Sequence, residues 1–163
     1  MLATLAASSI LVFAQAGNEV LPVGADISFK AHTLAGAEMS AASLRGKPTL
    51  IVLWGPWNQK SYRAVEAADR MRDKYGAKLR VVALTCWDTA RNTESFSQTY
   101  PKLHVEYWVD PAERDTDNSI AAKVFKTKRF PTIYVLDSSG KVVGGYVGFK
   151  PDDDLSKLID RAS

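Results

Sequence analysis

The side chains able to do nucleophilic, redox or metal chemistry are few, and that scarcity bounds what the chain can catalyse. Its 163 residues include one cysteine, Cys86, and two histidines, His32 and His104. A lone thiol excludes an internal disulfide, and two distant histidines leave neither a Cys-rich nor a His-paired zinc site. No glycine-rich phosphate loop or nucleophile elbow is present. A hydrolase built on Ser61 would need a base and an orienting acid, and the histidines lie far from it in sequence. Cys86 continues the alternating apolar face Val82, Leu84, Cys86. This pattern favours a buried, inert thiol over the alternative, a reactive or partner-pairing one. The run Asp152, Asp153, Asp154 follows Pro151. Free amide N–H groups at a helix start favour negative charge, so a helix cap is a simpler reading of that run than a metal site. No metal or cofactor is expected.

The elements that must position these groups belong to one soluble domain. Hydrophobic residues make up 46% and charged residues 24%, an ordinary globular composition. The net charge of +3, from 21 basic and 18 acidic side chains, is interspersed rather than gathered into a stripe, which argues against nucleic-acid binding. Residues 2–14 carry no charge, and Ala14-Gln15-Ala16 at the end of that run is a small-x-small pattern; together they read as a secretion signal over residues 1–16. The alternative is an N-terminal helix that is buried or docked on a partner. The run is shorter than the roughly 20 apolar residues a bilayer span needs, so no permanent membrane span is expected. The domain is then expected to span 17–163, with export to a periplasmic or extracellular compartment as the expected location.

Within the domain, Asp26 to Leu34 reads as a hairpin arm closed by Gly36, and Ser40 to Leu44 as a helical turn. Thr49 to Trp54 is apolar on both faces, as a central strand covered by helices must be. Ser61 to Tyr75 places Ala64, Ala67, Ala68 and Met71 at helical spacing, with Gly76 as a stop. Leu79 to Cys86 reads as a second buried strand, parallel to the first through the helical crossover. Thr93 to Tyr100 and Ser119 to Phe125 read as helices flanking a strand at Val105 to Val109. Thr132 to Leu136 and Val142 to Val147 are joined by Asp137-Ser138-Ser139-Gly140, short enough to force an antiparallel hairpin. A last helix starts at Pro151.

This order, with Trp54-Gly55-Pro56-Trp57 leaving the central strand and Phe130-Pro131-Thr132 opening the hairpin, resembles the thioredoxin superfamily. It is most similar to the exported TlpA and ResA type of thiol-disulfide oxidoreductase, close to the AhpC/TSA group. The resemblance covers about Leu21 to Ser163. It implies an α/β fold with a central mixed β-sheet flanked by helices, an N-terminal hairpin and a central strand-helix insertion. In such proteins Trp-x-x-Trp is followed by Cys-x-x-Cys; here those four positions are Asn58, Gln59, Lys60 and Ser61. Pro131 matches the family's cis-proline, whose neighbouring backbone lines the substrate groove.

Without the two thiols the usual exchange mechanism is absent, because a thiolate must attack the disulfide and a second thiol must release the mixed disulfide. Asn58 instead suits a helix N-cap. Trp57, Phe130, Pro131, Thr132 and Tyr62 would present aromatic and backbone area, rimmed by Lys60, Lys128 and Arg129. Such a surface fits an extended peptide or an acidic partner. Trp54, Trp87 and Trp108 read as core or strand-edge aromatics. Three functions from different classes remain: a protein-binding or accessory module with no dithiol chemistry, an enzyme that uses Cys86 alone as a peroxidatic or mixed-disulfide thiol, or a mainly structural subunit.

Overall fold

A computed structural model describes residues 20–163; the segment read as a secretion signal lies outside them. Seven strands form one mixed sheet. They are β1 (Lys30–Thr33), β2 (Glu38–Ser40), β3 (Thr49–Trp54), β4 (Arg80–Thr85), β5 (Glu106–Val109), β6 (Thr132–Leu136) and β7 (Val142–Val147), in the spatial order β2-β1-β5-β4-β3-β6-β7. The helices are α1 (Gln59–Tyr75), α2 (Ala90–Thr99), α3 (Ile120–Lys123) and α4 (Asp152–Asp160). This is a thioredoxin-like α/β fold, as the motif order led one to expect.

β3 is buried along its whole length and runs parallel to β4 but antiparallel to β6. Its side chains divide between two cores, which is why a run such as Leu50-Ile51-Val52-Leu53 shows no polar face. Leu50, Val52 and Trp54 pack with α1 and α4 residues Ala64, Ala68, Met71 and Leu155. Ile51 and Leu53 pack on the opposite face with Phe29, Trp108 and Phe125.

Local boundaries differ from the sequence reading where caps intervene. α1 starts two residues before Ser61 because the Asn58 side chain accepts from the Lys60 N–H. α2 starts three residues before Thr93 because Thr89 accepts from the Asn92 N–H. The N-terminal hairpin pairs Lys30–Thr33 with Glu38–Ser40, while Asp26 bridges to Lys141 instead. That shift follows from backbone bonds tying residues 24 and 25 to Val142.

The acidic run does stand in the first turn of α4, yet none of its side chains caps the helix, whose N-cap is Pro151. Asp152 instead takes a bidentate contact from Arg70 on α1, at 2.6 and 2.9 Å. That guanidinium holds the Asp152 carboxyl below its ordinary range, so the tie contributes stability above the unfolded-state pKa and loses it as pH falls through the folded one. Both partners are partly exposed, which limits the effect. Asp152→Asn is expected to cost about 0.5–1 kcal/mol at neutral pH. Urea melts of the two proteins should converge in acid, and a difference that persists there would show that the charge pair is not its source.

Candidate functional site

The carboxyl ends of the parallel strands β3, β4 and β5 lie at one edge of the sheet, where open α/β sheets place their ligand sites. The antiparallel β6 starts at that same edge, with Thr132 opposite Leu53. Four connections therefore meet there: residues 55–58 after β3, 86–89 after β4, 110–119 after β5, and the Phe130–Pro131 peptide, which is cis.

Asn58 joins two of them. Its carbonyl oxygen accepts from Lys60 N–H at 2.9 Å, and its amide nitrogen donates to the Phe130 carbonyl at 3.0 Å. One side chain thus caps α1 and fastens it to the cis-proline loop. Gln59 and Lys60 are exposed and share a separate shallow depression with Arg63. Ser61 is fully buried, its N–H bonded to Asn58 O at 2.9 Å, while its hydroxyl has no hydrogen-bond partner. An unpaired buried hydroxyl costs about 1–3 kcal/mol. Ser61→Ala is therefore expected to stabilise the protein by about 1 kcal/mol in urea unfolding; a loss of stability would mean that the hydroxyl is satisfied in solution.

Cys86 lies one residue beyond β4 and is fully buried, its N–H donating to Trp54 O at 2.9 Å. Its sulfur packs in the core face that contains Leu84, Trp108 and Phe125. Burial, and next the charge of Asp110, push the thiol well above the ordinary cysteine range. Asp110, also buried, accepts from the Ala112 and Ile120 N–H groups. Its own carboxyl is raised by burial, against those two bonds.

Around this edge lies an aromatic platform. Trp57 is 53% exposed; its indole folds over Gly55, where a Cβ would overlap the ring nitrogen. It stacks on Trp87 with centroids 6.5 Å apart, and Phe130 stands edge-on to both. Trp54 and Trp108 are core residues, and Trp87, half-buried just past the end of β4 and packed on the core, is the strand-edge member of the three and also part of the platform. Its backbone adopts φ +64°, and its indole N–H donates to Ser119 Oγ at 3.1 Å. The only sequence hint was its place just past a strand's carboxyl end. Tyr62 lies elsewhere than expected. It packs on Phe96 and Tyr100 rather than beside Pro131, so an aromatic wall on α2 escaped sequence reasoning. Thr132 is buried and donates to Arg129 O at 2.6 Å. Arg129 N–H is bonded to Thr127 Oγ1, and Lys128 pairs with Asp117 at 3.1 Å.

The family model described as thioredoxin-like matches residues 46–142, a span holding the β3–α1 turn, Cys86 and the cis-proline. The chain belongs to the thioredoxin-like family. Among its relatives, the thioredoxin-like protein YneN of Bacillus subtilis is 24% identical over 135 residues, 81% of this chain and 75% of that protein. The thiol-disulfide oxidoreductase ResA of Bacillus cereus is 22% identical over 148 residues, 90% of this chain and 82% of ResA. Among solved structures, a secreted disulfide oxidoreductase of Mycobacterium tuberculosis, homologous to E. coli DsbE, superposes with a TM-score of 0.64 at 21% identity, covering 81% of this chain and 94% of the other. This thioredoxin-like chain is thus similar to thiol-disulfide oxidoreductases, yet positions 58 to 61 hold no sulfur and Cys86 is its one cysteine.

Proposed function

We propose that this is an exported thioredoxin-like protein, its domain spanning 17–163, that has lost dithiol exchange and serves as a protein-binding or accessory module. The observation that carries the reading is Asn58. It occupies the first motif position, caps α1 and bonds the Phe130 carbonyl, so it maintains the frame of a site whose nucleophile is missing. The binding surface is formed by Trp57 and Phe130 over the cis Phe130–Pro131 peptide, with Lys60 and Arg129 near it, and its occupant is a polypeptide; Thr132, expected on that surface, is buried and supports it through its bond to Arg129 O. Exposed indole beside cis-proline backbone is the kind of area that anchors protein partners. Export is supported by the pattern of residues 1–16 and by the likeness to a secreted oxidoreductase. Among the described residues no helix is long and apolar enough to cross a membrane.

The purified protein is expected neither to reduce insulin disulfides nor to turn over peroxide. A disulfide reagent such as Ellman's should titrate its one thiol only after unfolding, because buried, protonated sulfur is a poor nucleophile. Turnover abolished by Cys86→Ser would overturn the reading in favour of a single-cysteine enzyme. Partners captured from an exported fraction should be lost with Trp57→Ala and Phe130→Ala; equal capture by the variants would remove the groove from the account.

A further inference from the structure

We propose that the groove between the start of α1 and α2 receives a cationic side chain, lysine or arginine, of the polypeptide partner, with Asp88 as its counter-charge. This rests on the polypeptide-binding reading above and assigns it a residue class.

The groove has a volume of about 680 Å³, and neither Phe130 nor Pro131 lines it. Its walls are aromatic, from Trp57, Tyr62, Phe96 and Tyr100, and its lining includes no lysine or arginine. Asp88, 4% exposed, supplies the one carboxylate. One of its oxygens, Oδ1, accepts from Thr89 N–H at 2.8 Å and from Asn92 Nδ2 at 2.6 Å. The other, Oδ2, has no hydrogen bond among the described residues. The nearest basic group is Arg114, whose guanidinium is 3.9 Å from Oδ1 on a side chain 72% exposed. An exposed pair at that distance compensates a buried charge weakly.

Oδ2 is not among the fully enclosed unpartnered atoms, so it still reaches solvent; a side chain that fills the groove takes that solvent away, which is costly for a carboxylate unless an ion replaces it. Each candidate side chain meets that cost differently. An apolar one would exclude water from Oδ2 and offer no donor. An acidic one would be repelled. An ammonium or guanidinium would bond Oδ2 and lie against aromatic faces that attract cations, more strongly once desolvated. The groove's lining holds one carboxylate and no basic side chain, so its local charge favours a basic segment over an acidic one.

The test uses the full chain titrated with the blocked pentapeptide acetyl-Ala-Ala-Lys-Ala-Ala-amide, its arginine analogue and its norleucine and glutamate counterparts, followed by amide shifts in 15N-labelled protein. The basic peptides should bind about tenfold more tightly than the norleucine peptide, with shifts at Asp88 and along α2. Asp88→Asn, which keeps the Oδ1 acceptor, should erase that preference. Arg114→Ala should strengthen basic-peptide binding about threefold by removing the competing internal cation. Equal binding of lysine and norleucine peptides, with shifts still around Trp57, would overturn the cation assignment and leave the groove as a polypeptide site. Absence of shifts with any peptide at millimolar concentration would also overturn it, and partner capture with Trp57→Ala then decides the broader reading separately. Preservation of the lysine preference in Asp88→Asn, with the fold verified by circular dichroism, would overturn the role of Asp88.

Discussion

A chain carrying Asn58→Cys together with Ser61→Cys is expected to gain thiol-disulfide exchange, reducing insulin with dithiothreitol as the terminal reductant. Position 58 is the N-cap of α1, where unpaired N–H groups and the helix dipole stabilise an anion. A thiolate there forms at lower pH: lowering a thiol pKa from about 8.5 to about 7 raises the thiolate fraction near neutrality roughly tenfold. Position 61 is one helical turn on, linked to 58 by the bond from Ser61 N–H to Asn58 O. In the cycle, the thiolate at 58 attacks the substrate disulfide and expels one substrate thiolate. The thiol at 61 then attacks the sulfur at 58, releasing the second substrate thiol and closing the 58–61 disulfide. Dithiothreitol restores the dithiol. The rate should exceed the dithiothreitol background by at least about tenfold, and Asn58→Cys alone should stall as a mixed disulfide. Ser61→Cys should be well tolerated because it replaces a hydroxyl with no partner. A double variant that folds, forms the disulfide and still fails to reduce insulin would show that the site has diverged beyond its two sulfurs.

The second large effect is expected at Asp110, a residue without a direct part in the groove. Asp110→Ala removes the acceptor of the Ala112 and Ile120 N–H groups in a place that is almost fully buried. The Ile120 donor is buried and the Ala112 donor partly so; at up to about 1–3 kcal/mol for a buried one, leaving both unsatisfied gives a loss of about 2–4 kcal/mol. For a domain of this size that is a fall in Tm of roughly 5–15 °C. The damage should reach the platform, because α3 begins at Ile120 and its capping Ser119 accepts both from Ala122 N–H and from the Trp87 indole. Trp87 in turn supports Trp57. Calorimetry together with tryptophan fluorescence checks both parts. An unchanged Tm would mean that water or another group satisfies the two donors, and an unchanged emission spectrum would sever α3 from the platform.

Much of this architecture was legible in the chain because it is encoded locally. Thr49 to Trp54 had to be a central strand, since nothing along it could face water. Asn58 was readable as an N-cap because its side chain bonds two residues ahead. The short turn between Leu136 and Val142 left the two flanking segments no arrangement but a hairpin. Loss of the motif thiols needed only identity at positions 58 and 61. What the sequence left open concerned partners distant in the chain. Trp87 looked like a strand-edge aromatic, and its membership of the platform comes from Trp57, Phe130 and Ser119, each about 30 or more residues away. Tyr62 shares a helix with the motif but turns to Phe96 and Tyr100 on α2. Asp152 stands in the first turn of α4, where it was expected, and its carboxylate also holds Arg70, 82 positions earlier.

Residue identities and their order were enough to say which chemistry this protein can hold: one thiol, outside the motif, in elements ordered as a thioredoxin-like sheet. Side-chain identity and short-range periodicity suffice for that, because covalent reactivity and local hydrogen bonding act within a few residues. Only the tertiary structure decided which way each reactive group faces. Whether Cys86 meets solvent, what Asn58 does with its second hydrogen-bonding group, and which charge lies in the groove depend on burial and on contacts between elements, and those arise only when strands and helices far apart in the chain pack together.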